Sequence, residues 1–406
     1  MKKEHILVIR FSAMGDVAMT VPVVWSLAQQ YPNVRITMLS RSFAKSLFEN
    51  LAPNVGFMEA DLKKEYHGIK GLNALYRRLA AKQFTAVADL HSVLRSEYLR
   101  MRFNMGHFRV AHINKHRKGR RRITSANHKM LVRQPTSFDN YAEVFSKLGY
   151  PVEITFKSIF ANCPSGKGDL NELTMLNAQC SMHNAQCSMH NAQCSMHNAQ
   201  CSMHNAQCSM HNAQSAAAKD GAGNNCALCI EHCELKIGIA PFAAHEGKVY
   251  PPRLMQQVIE QLLQQHPQAQ IFLFGRGEQE DKYFSEWCRQ YPQCTNVSKM
   301  VNSLRQELIL ISHLNVMISM DSSNMHLASL TGTPVVSVWG ATHPYAGFMG
   351  WGQNEENAIQ LDMACRPCSI YGQKPCKRGD YACMNNIKPE TIVEKTNNIL
   401  LTQNKH

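Results

Sequence analysis

Asn315–Gly340 reads N-V-M-I-S-M-D-S-S-N-M-H-L-A-S-L-T-G-T-P-V-V-S-V-W-G. Its two apolar runs, Val316–Met320 and Val335–Trp339, have the composition of buried parallel strands, and Met325–Leu330 fits one short helix between them. That is a strand, helix, strand unit. Asp321, Ser322 and Ser323 fall where the first strand ends and the helix begins, so they either cap the orphan backbone N–H groups of the helix or leave them to a bound anion. Asp and Ser are the usual caps, and on these residues alone an ordinary cap is the simpler reading. His326, on the first turn beside the anion position, tips the balance, because an imidazole there can donate to a phosphate oxygen.

The chain around this unit has 406 residues and 44% apolar content, enough for two domains with separate cores. No run approaches the roughly eighteen consecutive apolar residues of a membrane span, and Met1-Lys-Lys-Glu-His leads into a strand rather than a signal peptide, so the expectation is a cytoplasmic protein. Its fifteen cysteines then read as reduced thiols or metal ligands. The net charge of +13 is uneven: Glu97 and Asp139 bracket a stretch with no acidic residue and with basic residues from Arg100 to Arg133, Arg120 and Arg121 among them. Such a block attracts an anionic lipid surface, a phosphorylated substrate or nucleic acid; nucleic acid ranks last, since its recognition motifs are missing.

In chain order, His5–Arg10 reads as a strand, Phe11–Asp16 as a turn and Val17 to about Gln30 as a helix. Asp16 lands at that helix's N-terminus, as a capping carboxylate or as a base facing a crevice. Strands at Val34–Leu39 and Thr85–Leu90 alternate with helices at Phe43–Leu51 and Leu72–Ala81, the pattern of a parallel sheet covered on both faces. Ligands in such sheets bind beyond the carboxyl ends of the strands, where Asp16, Asp89, His91 and Arg95 all lie. From Asn177 to His211 the heptad N-A-Q-C-S-M-H occurs five times. It has no Leu, Ile or Val seam for a coiled coil and reads as an inserted low-complexity loop; a Cys180/His183 metal tract ranks well below that. After Cys226-Ala-Leu-Cys229 the same style resumes. Leu235–Phe242 is a strand, Lys248 lies in the following loop, Arg253–Gln265 is a helix, and Gln270–Phe274 is a strand ending in Gly275-Arg276-Gly277-Glu278. Those glycines allow close backbone approach to a ligand, and Glu278 can accept from ribose hydroxyls. The division expected is a first domain over 1–162, insert and linker over 163–234, a second domain over 235–388, and a C-terminal helix over 389–406.

Together, R-x-x-x-x-G-D at Arg10–Asp16 with T-x-P at Thr20–Pro22, A-x-x-x-K at Ala244–Lys248, F-G-x-G-E at Phe274–Glu278, D-S-S-N-M-H-L-A at Asp321–Ala328 and G-T-P-V-V at Gly332–Val336 resemble the heptosyltransferases of glycosyltransferase family 9. The resemblance runs from the first strand to the last helix, interrupted by the repeat. It implies an α/β protein of GT-B architecture, with two Rossmann-like doubly wound parallel-sheet domains facing a cleft. It also implies an inverting transfer of heptose from ADP-heptose to the lipopolysaccharide inner core, with the nucleotide sugar as substrate and no cofactor. On that likeness Asp16 is the base, and Lys248, Gly275, Glu278, Asp321, Ser322, Ser323 and His326 hold the donor. Arg10, Arg95, Arg120 and Arg121 are the candidates for an anionic lipid-linked acceptor, on a monomer at the cytoplasmic face of the inner membrane. Ser323 departs from the glycine usual at its position and narrows backbone approach. The C-terminal helix would cross back onto the first domain.

Lys248 and the helix N-terminus at Ser323 can neutralise a departing diphosphate without a divalent metal, and no D-x-D motif is present. Cys365, Cys368, Cys376 and Cys383 lie in a short Pro- and Gly-containing loop where a structural zinc site, free thiols or disulfides are all open readings. The rival functions are a GT-B transferase using another nucleotide sugar, a non-catalytic nucleotide-sugar-binding protein, and an epimerase. The epimerase needs G-x-G-x-x-G after the first strand, which Phe11–Asp16 lacks.

Overall fold

A computed structural model describes residues 4–173 and 235–403. The chain divides into two compact units, Met1–Gly168 with Glu234–His406, and Asp169–Cys233. The N-A-Q-C-S-M-H repeat with its Cys180/His183 pattern, and the Cys226-x-x-Cys229 segment, lie outside the described residues. The larger unit contains two lobes, each built on one all-parallel sheet.

The first lobe has strands β1 (His5–Ile9), β2 (Arg35–Ser40), β3 (Val55–Glu59), β4 (Ala86–Asp89) and β5 (Arg109–His112), in spatial order β3-β2-β1-β4-β5. The second has β6 (Lys236–Ala240), β7 (Gln270–Leu273), β8 (Cys294–Asn296), β9 (Val316–Met320), β10 (Val335–Val338) and β11 (Ala358–Ile359), in the order β11-β10-β9-β6-β7-β8. In both, the first strand sits mid-sheet and the chain winds away from it to either side. That reversal leaves a crevice at the carboxyl ends of β1 and β4 in one lobe and of β6 and β9 in the other. Ile6, Leu7, Val8 and Ile9 of β1 and Ile318 and Met320 of β9 have no exposed surface, as expected of strands covered by helices on both faces.

The expected helix from Val17 to Gln30 is two helices, Met14–Ala18 and Val21–Gln30. Pro22 on the first turn of the second has no N–H to continue the first, and the Thr20 hydroxyl instead donates to the Val17 carbonyl at 2.7 Å. The C-terminal helix, Pro389–Gln403, corrects an expectation. It does not cross to the first lobe; Ile392, Val393, Ile399 and Leu400 join the second lobe's core with Val258, Ile259 and Leu262. Its polar side follows suit, with Gln261 donating to Glu390 at 2.9 Å and His266 bonded to Asn397 at 2.8 Å. The amphipathic pattern was legible in the sequence, but it does not say which apolar face receives it.

What crosses between the lobes is the chain after Tyr150. The Thr155 amide donates to Ser26 Oγ at 3.0 Å in the first lobe, and the Ile159 amide donates to the Leu330 carbonyl at 2.8 Å in the second. A second seam lies close by, where the amides of Gln134 and Ser137 donate to the carbonyls of Tyr345 and Gly347 at 2.9 and 3.0 Å. Gly347 has φ +84°, and a Cβ there would lie 2.4 Å from the Pro135 carbonyl oxygen, so only glycine closes this seam unstrained.

Candidate active site

The two crevices face one another across a cleft of about 570 Å³, lined by Gly15, Asp16, Lys248, Gly275, Asp321, Ser322, Ser323 and His326 among others. The walls meet at Gly15. A Cβ there would sit 2.7 Å from His326 Cδ2 and 3.5 Å from Ser323 Cα, so the glycine of R-x-x-x-x-G-D lets the two helix starts approach.

On the first wall, Asp16 stands on the opening turn after β1, and its side chain keeps 30% of its surface exposed. Arg10 lies beneath it. Arg10 Nη2 is 2.5 Å from Asp16 Oδ2, while its Nη1 donates to the Leu90 carbonyl at 2.7 Å. Burial alone would raise the Asp16 pKa, but the Arg10 guanidinium, the Ala13 amide and the nearby His326 together hold the carboxyl below its ordinary range. Asp16 is therefore ionised at neutral pH, fixed in orientation and open on one side to the cleft. Arg10, expected at an acceptor, is 7% exposed and spends its charge on Asp16. Replacing Arg10 with glutamine should reduce turnover about tenfold and move the acidic limb of the kcat/KM profile to higher pH, because the carboxylate loses its main stabilising charge; Arg10→Lys should restore the limb in part. A profile that stays in place in both variants means Asp16 is not the titrating base.

On the second wall, Lys248 follows β6 and Asp321 follows β9. Register brings these neighbouring strands to the same height, with Ala240 opposite Ser319. Lys248 Nζ is 2.8 Å from Asp321 Oδ2, which also accepts from Thr342 Oγ1 at 2.7 Å. Asp321 is 4% exposed, and an anion so placed does not itself hold a diphosphate; it orients the ammonium that can. Ser322 is the N-cap of the helix Ser323–Leu330, yet no side-chain cap hydrogen bond forms, its hydroxyl lying 3.3 Å from Ser319 Oγ. The first-turn amides are thus left uncapped at the cleft, beside a cation, which is a site for a phosphate. His326 is buried, and burial lowers its pKa to about 4, so the ring is neutral; its Nδ1 has no hydrogen-bond partner among the described residues.

The remaining expected residues distribute as follows. Gly275 lines the cleft, whereas Glu278 is exposed at the start of the helix Glu278–Gln290 and does not line it. Glu280 does, with Glu307 and Arg276, which pair at 3.3 Å. Sequence reading missed these three, although Glu280 lies only two positions beyond Glu278. Arg95 is exposed on a separate hollow of about 350 Å³ with Arg41, Lys63 and His91. Arg120 is buried, its guanidinium 4.6 Å from the Phe348 ring and donating to Tyr371 Oη at 3.3 Å, both of which line the cleft; Arg121 is exposed outside it. Asp89 accepts from the His91 and Ser92 amides and pairs with Arg100 at 3.2 Å, so it braces its own loop and does not line the cleft with Asp16.

Cys365, Cys368, Cys376 and Cys383 are free thiols around a further hollow of about 360 Å³. Among the described residues no three His, Cys, Asp or Glu side chains are placed to hold a metal ion, which does not support the zinc reading. The loop keeps its shape by other means. Lys129 Nζ donates to the carbonyls of Ala364, Arg366 and Pro367 at 3.0, 2.8 and 3.2 Å, and Arg366 Nη2 donates to the Thr342 carbonyl at 3.0 Å.

Two doubly wound lobes that close on a cleft with a carboxylate on one wall and an anion site on the other define the GT-B class of fold. The same fold is found in the ADP-heptose lipopolysaccharide heptosyltransferase II of E. coli, with TM-score 0.59 and 16% identity over 98% of this chain and 99% of that one. A glycosyl transferase family 9 protein of Veillonella parvula gives TM-score 0.63 and 17% identity over 99% and 98%. The family model described as glycosyltransferase family 9 (heptosyltransferase) matches residues 171–378, and the chain belongs to that family. Lipooligosaccharide heptosyltransferase 2 of Campylobacter jejuni is 28% identical over 139 residues, 34% of this chain and 42% of that one. The lipopolysaccharide core heptosyltransferase OpsX of Haemophilus influenzae is 28% identical over 96 residues, 24% and 26% of the two chains. The match thus spans less than half the length of these curated relatives.

Proposed function

We propose that the chain is an inverting, metal-independent transferase that moves heptose from ADP-heptose to a hydroxyl of the lipid-linked lipopolysaccharide inner core. The observation that carries this reading is the pairing across one cleft of an ionised Asp16 with the Lys248 ammonium and the uncapped Ser323 helix. The acceptor hydroxyl gives its proton to the Asp16 carboxylate as its oxygen bonds to the anomeric carbon from the face opposite the diphosphate. The bond from that carbon to the diphosphate oxygen breaks. Lys248 Nζ and the first-turn amides of the helix receive the charge that develops there, and they are in place before the reaction begins. Neutral His326, against Gly15, is placed between the two walls as a donor to a phosphate or sugar oxygen. No helix among the described residues is long and apolar enough to cross a membrane; on this reading the lipid-linked acceptor is met at the membrane surface, on the cytoplasmic side.

The test mixes purified protein with a panel of nucleotide sugars and a lipid A and Kdo acceptor, and assigns the anomeric configuration of any product by NMR. Turnover of ADP-heptose with inversion is expected. Use of a different nucleotide sugar would overturn the donor assignment, retention would overturn the single displacement, and binding without consumption of any sugar would leave a binding protein.

A further inference from the structure

The geometry points to a membrane-docking surface beside the cleft, formed by the helix Arg117–Ile123 and the returning segment Lys129–Arg133, whose occupant is an anionic lipid bilayer. It rests on the reading above only in that a lipid-linked acceptor gives such a surface its purpose.

The helix turns one basic residue inward and the others outward. Arg120 reaches Tyr371 and Phe348 of the cleft wall, whereas Arg117, Lys118, Arg121 and Arg122 are exposed. None of these four has an ion-pair or hydrogen-bond partner for its side chain among the described residues, unlike Arg100, Arg109 and Arg133 of the same basic block, which pair with Asp89, Glu4 and Glu355. The chain then folds back against the helix. The Met130 amide donates to the Arg122 carbonyl at 3.3 Å, and Gln134 packs so closely on Gly119 that a Cβ there would meet its Oε1 at 1.9 Å. Between these points Met130, Leu131 and Val132 are consecutive and exposed by 54, 46 and 54%.

Single exposed apolar side chains such as Ile69 and Leu94 are ordinary on a surface, but three in succession are not, and the unpaired cations beside them point to an anionic cover. Aliphatic tips that enter the boundary between headgroups and acyl chains, ringed by Arg and Lys at headgroup level, are the arrangement by which a protein lies on an anionic membrane without spanning it. A nucleic-acid strand would instead be met by aromatic platforms, which this segment lacks. Because Arg120 ties the same helix to the cleft wall, docking here brings the cleft to the bilayer that holds the acceptor.

The test uses the full chain and vesicles of equimolar phosphatidylethanolamine and phosphatidylglycerol, with pure phosphatidylcholine as control. Sedimentation should show binding to the anionic vesicles that weakens with salt. A Lys118→Glu, Arg122→Glu variant should lower the partition coefficient about tenfold or more. A Met130→Ser, Leu131→Ser, Val132→Ser variant should lower it to a similar degree and leave the residual binding more sensitive to salt. Both variants should melt as the parent does and transfer sugar normally to a deacylated, water-soluble acceptor, losing rate only on the lipid-embedded one. Equal binding to phosphatidylcholine, unchanged binding in both variants, or tighter binding of a DNA oligonucleotide weakened by the same substitutions would each overturn the proposal. A parent that consumes no nucleotide sugar yet docks as described would defeat the catalytic reading and leave the surface standing.

Discussion

Asp16→Asn is expected to lower kcat by about a thousandfold while the dissociation constant for the nucleotide sugar stays close to that of the parent. The amide keeps the shape of the carboxylate but cannot take the acceptor's proton, and the groups proposed to hold the donor on the opposite wall, Lys248 and the Ser323 helix, are untouched. The sign of the pH dependence follows from the ion pair. A base must be ionised to act, and the folded-state pKa of Asp16 is depressed, so activity should persist at neutral and mildly acidic pH and fall only as the pH drops below the ordinary carboxylate range. The same depression contributes stability above the unfolded carboxylate's pKa, and that contribution is lost as pH falls through the folded value. Initial rates across pH with isothermal titration of the donor check both parts. Full activity in Asp16→Asn would remove the residue from the chemistry.

Lys248→Met should have the second-largest effect and act on two observables. Losing the ammonium should cut kcat/KM for the nucleotide sugar by about a hundredfold or more, since the diphosphate loses its side-chain cation and the amides remain. It also strands the Asp321 carboxylate, 4% exposed and left with Thr342 as its remaining hydrogen-bond donor. Unpairing a buried charge destabilises by about 3–5 kcal/mol, and the partial exposure of Lys248 places this case at the lower end. The double variant Lys248→Met, Asp321→Asn should recover most of the stability and none of the turnover. Recovery of turnover in the double variant would mean that Lys248 serves the fold rather than the diphosphate. Thermal melts and donor-dependent rates separate the two roles.

The Asn315–Gly340 unit was readable because each residue agrees with its neighbours: apolar runs of strand length, a polar turn at the carboxyl end, a short helix and a Gly-Thr-Pro return. Val316–Met320 is a strand at the bounds the sequence suggested. Elsewhere the signal was weaker for physical reasons. The strand Val55–Glu59 was missed because Gly56 interrupts it and, at the sheet edge, only Met58 is buried, so neither a buried run nor a clean alternation forms. The helix Leu94–Met105 carries Arg95, Arg100 and Arg102 among its apolar positions, and in the sequence it merged with the basic block. At the site, positions at carboxyl ends of strands were predictable from topology, but side-chain partners were not. Nothing in the interval between Arg10 and Asp16 signals that the two meet at 2.5 Å across a turn. Glu278 drew attention for its place in F-G-x-G-E, yet Gly277, at φ +142°, starts the helix so that Glu278 faces solvent and Glu280 turns back beside Gly275.

The backbone bonds from Gln134 to Tyr345 and from Ser137 to Gly347, with the Thr155 and Ile159 bonds of the crossing segment, fasten the two lobes to each other along one line. On the proposed reading, any widening of the cleft to admit a sugar nucleotide should be least along that line and greatest at the opposite margin. In deuterium-exchange measurements the amides of Gln134 and Ser137 should accordingly stay among the slowest in their surroundings, whether or not substrate is bound.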